Sequence, residues 1–192
     1  MGRMGSRGML AAMVIAAIAA TAVGAQDKTV PRSVVKFAQQ TLVTYGQDPQ
    51  LVAMVAKSNA SPQDVAKLKA LDVRWQKKDD IESFVKSLMA SPASQRLAAL
   101  IGKHSYLPEA FVMDSQGTII GETNRTSTYW KGEQEKFTAA YAGGAGATWY
   151  GTLEFDESSK TNSVQISVPV AKGGKAIGAI CFTVNVDEWE KR

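Results

Sequence analysis

Residues 163–186, SVQISVPVAKGGKAIGAICFTVNV, decide the fold of this chain. Apolar side chains alternate with small or polar ones along both halves of the stretch, and residues 172–174 form the turn between the halves. The apolar set is Val164, Ile166, Val168 and Val170, then Ile180, Phe182, Val184 and Val186. A period of two residues predicts paired antiparallel strands with one apolar face, which must pack against another layer of the protein.

The opposite face of the same two strands carries small and polar side chains, among them Gln165, Ser167 and Thr183. Two interpretations of this face are open. It is either exposed to solvent, which is the simpler interpretation, or it is the floor of a ligand pocket covered by residues 122–137. Small polar groups among apolar walls are what a pocket needs to orient a small molecule.

Further strands are predicted upstream of this stretch. Residues 110–113 and 118–121 are typical of a hairpin, and residues 147–155 are typical of another strand. In that strand we expect Trp149 on the apolar face and Tyr150 on the polar face, because neighbouring side chains point in opposite directions.

The N-terminal region, residues 26–106, is predicted to be helical. Apolar residues recur at helical spacing, and pairs such as Asp48-Pro49 and Ser91-Pro92 are typical helix starts. Helices followed by strands predict an α+β fold, an antiparallel sheet of five to six strands with the N-terminal helices packed on one face. We therefore predict a helical region at 26–106 that packs behind the sheet, and a sheet domain at 107–192.

Residues 1–25 have the features of a secretory signal peptide. Arg3 and Arg7 precede an uncharged apolar run, and small residues at 23–25 form a cleavage site. The alternative is an uncleaved anchor, but the apolar run is at the short limit for a membrane span. We predict a protein that is exported to the periplasm or secreted, with no stable membrane insertion after cleavage.

Composition excludes several classes of function. Removing Arg3 and Arg7 from the 22 Lys and Arg residues leaves a small excess over the 18 Asp and Glu residues, which does not favour nucleic acid as a partner. The single cysteine and single histidine exclude an internal disulfide and a structural zinc site built from several such ligands. We expect no metal site and no cofactor.

No catalytic motif stands out. The glycine-rich residues 143–146 are not followed by Gly-Lys-Ser/Thr, so they do not form a phosphate-binding loop. Cys181 lies inside a predicted strand, which is a poor position for a nucleophile partnered by His104. We therefore predict that the chain is not an enzyme and has no catalytic residues.

Residues 111–186 resemble the extracytoplasmic Cache (PDC) sensor domains, which are relatives of PAS domains. The resemblance rests on an ordered set of short motifs, FVMDSQG at 111–117, TSTYWKGE at 126–133, ISVPV at 166–170, GGKAIGAI at 173–180 and VNVD at 184–187. It is greatest for the single-Cache, stand-alone periplasmic type. The resemblance implies a PAS-like sheet and a small-molecule ligand held between the polar sheet face and the covering segment.

The resemblance also implies site residues. The covering segment would contribute Ser127, Tyr129 and Trp130, with Arg125 or Lys131 as the partner of a carboxylate, and the floor would contribute Tyr150, Gln165, Ser167 and Thr183. Plainer roles stay open for the covering residues, since Trp130 would also suit core packing. Arg125 and Lys131 would also be typical of side chains exposed to solvent, and Ser127 would also be typical of a helix cap.

The resemblance implies a sensor that binds a small polar metabolite, such as a carboxylate or an amino acid. The Arg-x-Trp-Tyr motif of amino-acid-binding double-Cache proteins is absent, so the sequence does not favour amino acids. Receptors of this family continue into a spanning helix, whereas this sequence stops at Arg192, so we expect signalling through a partner such as a membrane sensor kinase or chemoreceptor. The alternative is an interaction module that docks a membrane receptor and has no ligand of its own.

Overall fold

The structure is a computed structural model that describes residues 30–156 and 160–192. The predicted signal peptide lies outside the described residues. The helices are α1 (Arg32–Phe37), α2 (Val43–Tyr45), α3 (Pro49–Asn59), α4 (Val65–Lys77), α5 (Glu82–Met89), α6 (Pro92–Ile101), α7 (Glu135–Tyr141) and α8 (Val186–Glu190). The strands are β1 (Glu109–Met113), β2 (Ile119–Glu122), β3 (Trp149–Tyr150), β4 (Glu154–Asp156), β5 (Thr161–Lys172) and β6 (Lys175–Asn185).

Local capping chemistry sets where the N-terminal helices begin. The Asp48 carboxylate accepts hydrogen bonds from the backbone N–H groups of Gln50 and Leu51 at the start of α3, and Ser91 accepts one from Ser94 at the start of α6. These bonds satisfy amide groups that have no partner within the helix. A π-helical turn, Ala38–Leu42, joins α1 to α2.

The strands form one antiparallel sheet in the order β2-β1-β6-β5-β3, and β4 also pairs with β5. The long β5–β6 hairpin sets Ser167 opposite Cys181. Its turn at Gly173 and Gly174 has positive φ at both positions, 58° and 78°, the geometry that glycine adopts without strain. The α+β class and the PAS-like antiparallel sheet with helices packed on it are confirmed.

Each face of the sheet packs against its own group of helices. On the apolar face the alternating residues of β5 and β6 join α3 and α6 in one core cluster, in which Leu51, Leu97 and Phe182 have no exposed surface. The other face joins a second cluster, which contains Trp75 of α4. Helices α4 and α5 therefore lie opposite α1, α3 and α6, with the sheet between the two groups.

The predicted strand at 147–155 differs from the structure. It is divided into β3 and β4, and the register sets Trp149 opposite Ser167 and Tyr150 opposite Ile166. Trp149 thus shares the polar face with Ser167, and Tyr150 packs against the core cluster of the apolar face. The assignment of these two residues to faces was wrong, because cross-strand pairing with β5 decides the orientation of a strand as short as β3.

No helix within 30–156 or 160–192 is long and apolar enough to cross a membrane.

Candidate functional site

A cleft of about 770 Å³ opens on the polar face of the sheet. Helix α7, which packs over β5 and β6, forms one wall. The lining residues that carry the argument below are Glu109, Lys136, Trp149, Glu154, Gln165 and Thr183. Two of the predicted floor residues, Gln165 and Thr183, therefore line one cavity.

The floor of the cleft is a row of polar side chains that crosses three strands. Glu109 of β1 is paired with Thr183 of β6, and Thr183 is paired with Gln165 of β5. The Thr183 hydroxyl donates to Glu109 Oε1 over 2.7 Å, and the Lys136 ammonium donates to Gln165 Oε1 from α7. An acidic group thus lies at one end of the row and a basic group at the other.

The wider lining of the cleft is acidic. Glu135 and Glu154 add two carboxylates to that of Glu109, against the single ammonium of Lys136. A negative potential attracts groups of positive charge, and it is strengthened where low-dielectric walls exclude water. The cleft therefore suits a ligand that carries an ammonium group and, for the Lys136 donor, a hydrogen-bond acceptor such as a carboxylate.

Buried polar atoms without partners lie beside the cleft. Ser167 is 0% exposed, and its hydroxyl has no hydrogen-bond partner among the residues that the structure describes. Trp149 is the register partner of Ser167, and its indole N–H also has no hydrogen-bond partner among the described residues. A buried polar group without a partner costs about 1–3 kcal/mol, so a ligand that accepted from the Trp149 indole would gain, whereas Ser167 does not line the cleft.

Cys181 lies opposite Ser167 on the same face. Burial raises the pKa of its thiol to about 11. The thiol is therefore protonated at neutral pH and does not act as a nucleophile. His104, its possible partner in the sequence, contacts Phe37 of the core cluster on the other face of the sheet.

The covering segment at 122–137 is held by α4. The Asp72 carboxylate of α4 accepts hydrogen bonds from the backbone N–H groups of Tyr129 and Trp130. The Tyr129 ring is buried 5.5 Å from the ring of Trp75, and burial raises the pKa of its hydroxyl to about 12. The Trp130 indole N–H donates to the Gln116 carbonyl over 2.7 Å. Both aromatic residues thus fasten the segment to the rest of the fold.

Lys131 is a buried cation rather than a solvated one. It is 3% exposed, its ammonium donates to the Thr128 hydroxyl, and it lies 5.3 Å from the centre of the Phe111 ring. Burial lowers its pKa to about 8, and the nearby charge of Lys136 acts in the same direction. The charge of Lys136, which lines the cleft, therefore acts on Lys131.

Arg125 and Ser127 take other positions. The Arg125 guanidinium lies 4.9 Å from the ring of Trp75, pairs with Glu82 over 3.1 Å and donates to the Trp75 carbonyl. Ser127 is exposed and is not among the residues that line the cleft. Neither residue meets the floor residues in the cleft, and Tyr150 lies on the other face of the sheet.

The charged and aromatic cleft residues that sequence reasoning missed are Glu109, Glu135, Lys136, Trp149, Glu154 and Phe155. Glu109 lies one residue before the predicted strand at 110–113, so strand alternation extended by one position would have placed it on the face of Phe111. For Lys136 no sequence signal exists, because its position depends on how α7 crosses the sheet.

A set of acidic, cysteine and histidine side chains placed to hold a metal ion is not found within residues 30–156 and 160–192.

The chain was compared with known proteins. No protein-family model matches it, and no curated protein matches its sequence. Several solved structures are similar in fold. The sensor domain of the V. cholerae histidine kinase DctB is 11% identical, with a TM-score of 0.47, and the match covers 86% of this chain and 54% of that domain.

Two chemoreceptor domains are also similar. The ligand-binding domain of Pseudomonas aeruginosa PctC, solved with GABA, has 12% identity and a TM-score of 0.40, over 64% of this chain and 61% of that one. The sensory domain of Campylobacter jejuni Tlp3 has 12% identity and a TM-score of 0.41, and the match covers 81% of this chain and 67% of that one. These neighbours are sensor domains of a histidine kinase and of chemoreceptors.

Proposed function

We propose that this chain is an exported, non-catalytic sensor domain that binds a small polar metabolite of the amino acid or carboxylate class in the cleft. The observation that carries the proposal is the row Glu109–Thr183–Gln165, which ends at Lys136. The row therefore offers one acidic group and one basic group at its two ends.

The row suits a ligand with two opposite charges. Glu109 would accept hydrogen bonds from an ammonium group, and Lys136 would donate to a carboxylate, each in a charge-assisted hydrogen bond. The Trp149 indole N–H would supply one further polar contact. The acidic lining favours an amino acid over a simple carboxylate, since the latter brings no positive charge to Glu109, Glu135 or Glu154.

Of the residues predicted from the resemblance, Gln165 and Thr183 keep a direct role in this proposal, and Ser167 lies buried on the same face without lining the cleft. Lys131 acts through its charge near Lys136. Tyr129, Trp130 and Arg125 hold the covering segment against α4 and do not line the cleft.

The proposed place of action is the periplasm or the exterior of the cell, after removal of residues 1–25. The proposed signalling partner is a membrane sensor kinase or chemoreceptor, which would detect the occupied cleft. The proposed compartment rests on the signal-peptide features of residues 1–25. The proposed partner rests on the resemblance of the short sequence motifs to those of Cache (PDC) sensor domains.

The test is a thermal-shift screen of the purified protein against amino acids, short carboxylates and amines. A ligand at a hundred times its dissociation constant adds about 2.7 kcal/mol to the free energy of unfolding, or roughly 5–10 °C in melting temperature for a chain of this size. We expect amino acids to produce the shift, and Lys136→Gln and Glu109→Gln to abolish it.

The matched control is Lys67→Gln, which removes the same charge from an exposed position on α4. The control should keep the full shift. A flat screen on a protein that melts cooperatively would overturn the proposal and favour the ligand-free interaction module.

A further inference from the structure

A second cavity, of about 390 Å³, lies on the other side of the sheet, where α1 and α8 meet. The residues that matter for its chemistry are Ser33, Lys36, Gln40, His104, Tyr106 and Arg192. Phe37 and Trp189, which also line it, belong to the core cluster of the apolar face. The sheet therefore separates this cavity from the cleft described above.

The charged side chains that line the cavity are both cationic. They are those of Lys36 and Arg192, and no acidic side chain is among the lining residues in the described part of the chain. On the adjoining α8, Glu188 pairs with Lys191 and Asp187 accepts from Asn162, whereas Glu190 does not line the cavity. The side chain of Lys36 makes no hydrogen bond or ion pair with any described residue.

The neutral polar groups of the cavity are able to donate hydrogen bonds. The Trp189 indole N–H donates to the Ser33 hydroxyl oxygen over 3.1 Å, which leaves the Ser33 hydroxyl proton available for another acceptor. Gln40 adds an exposed amide from the π-helical turn Ala38–Leu42. Turns of this kind are rare and occur frequently at functional sites.

His104 bridges two tyrosines at the base of the cavity. Its Nε2 lies 2.8 Å from the Tyr45 hydroxyl, and its Nδ1 lies 2.8 Å from the Tyr106 hydroxyl. A neutral imidazole has one N–H, so one of the two hydroxyls accepts from the ring and keeps its own proton to donate elsewhere. This arrangement brings no negative charge to the cavity.

The apolar wall is formed by aromatic rings that brace one another. The ring of Tyr106 is nearly perpendicular to the rings of Phe37 and Trp189, at centroid distances of 5.3 and 4.9 Å. The Arg192 guanidinium lies over the Trp189 ring, 3.0 Å from its centre, and 5.4 Å from the centre of the Tyr106 ring. Edge-to-face rings are preferred geometries, so Tyr106 is held in place and offers a preformed surface for a flat group.

We propose that this cavity is a second binding site, for a small organic anion that carries a flat apolar group, such as an aromatic carboxylate. Lys36 and Arg192 bind the carboxylate, and the ring packs against Tyr106. The site does not depend on the function proposed for the cleft, because the two share no residue.

The test uses the purified protein and three probes in isothermal titration: benzoate, benzylamine and inorganic phosphate. We expect benzoate to bind and benzylamine not to bind, since the two differ in the sign of their charge. We expect Lys36→Gln and Arg192→Gln each to weaken benzoate binding by about tenfold, the loss of one charge-assisted hydrogen bond. Lys67→Gln should have no effect.

Three outcomes would overturn the proposal. The first is no binding of benzoate by the wild-type protein. The second is binding that Lys136→Gln abolishes and Lys36→Gln does not, which would place benzoate in the cleft. The third is phosphate binding as tight as that of benzoate, which would remove the role of the aromatic wall. Because Lys36 is exposed, its substitution is expected to leave the melting temperature nearly unchanged.

Discussion

Glu109 and Thr183 face each other across the β1–β6 ladder, and the Thr183 hydroxyl donates to Glu109 Oε1 over 2.7 Å. This bond orients a carboxylate at the start of β1 toward the floor of the cleft. The acidic end of the site is therefore positioned by a hydroxyl on a neighbouring strand.

Thr183→Val should weaken ligand binding while the fold is kept. Valine has the shape of threonine but no donor, so the Glu109 carboxylate loses its orienting bond. We expect the dissociation constant of the amino acid ligand to rise by about fivefold to tenfold, and the free energy of unfolding to change by about 1 kcal/mol, the contribution of a typical hydrogen bond. Isothermal titration and urea unfolding measure the two effects.

The control for this change is Thr138→Val, at an exposed position of α7. It should leave the dissociation constant unaltered. An unchanged affinity in Thr183→Val would show that the Glu109–Thr183 bond has no part in ligand binding.

Lys131→Met should change how stability depends on pH. Burial lowers the folded-state pKa of Lys131 to about 8, whereas an unfolded lysine has a pKa of about 10.4. Between these values the unfolded state binds more protons at this residue, so the lysine contributes a free energy of unfolding that rises with pH. Below pH 8 the lysine is charged in both states, and its burial is fully unfavourable.

We therefore expect the difference in unfolding free energy between Lys131→Met and the wild-type protein to favour the variant most below pH 8, and to shrink as the pH rises toward 10. Taking the difference at each pH cancels the contribution of Tyr129, which titrates in both proteins. The pKa of Cys181 rises further in the variant, because the charge of Lys131 lowers it in the wild-type protein. Denaturant unfolding at several pH values measures it. A difference that stays constant over this range would contradict the burial of a charged ammonium at this position.

Cys181 should resist alkylation in the folded protein. The side chain is 0% exposed, and burial raises the pKa of the thiol to about 11, so the reactive thiolate is scarce and inaccessible at pH 8. We expect iodoacetamide to modify the protein only after unfolding in urea, as followed by mass spectrometry. Rapid modification without urea would be incompatible with the packing of this face.

Asp72→Ala should loosen the covering segment. The Asp72 carboxylate accepts from the backbone N–H groups of Tyr129 and Trp130, and hydrogen bonds to a charged group contribute about 1.5–3 kcal/mol. We expect faster hydrogen exchange at these two amides and weaker ligand binding. Asp79→Ala, which removes an exposed carboxylate just beyond α4, is the matched control and should alter neither.

Helix starts and the main hairpin were predictable from local sequence. Asp48 and Ser91 cap their helices as the sequence indicates, because a capping side chain contacts amides only two or three residues away. The β5–β6 hairpin was predictable for a similar reason, since Gly173 and Gly174 supply the positive φ that its turn needs. Gln165 and Thr183 follow from the same alternation and line the cleft.

The cleft as a whole was not predictable in this way. Lys136 reaches Gln165 from a helix, and Glu109 reaches Thr183 from a distant strand, so both contacts depend on tertiary pairing. The sequence left open whether Lys131 is exposed to solvent. In the structure the covering segment packs over Phe111 and buries this lysine.

The amino-acid sequence by itself determined the α+β class, the two faces of β5 and β6, and the small polar character of one of them. Those features depend on periods of two and 3.6 residues, which follow from backbone geometry alone. Only the tertiary structure decided that Trp149 faces the cleft and Tyr150 faces the core, and that an acid and a base close the two ends of the polar row. The reason is physical: a two-residue strand has no pattern strong enough to choose its own face, so the register with its longer neighbour makes the choice.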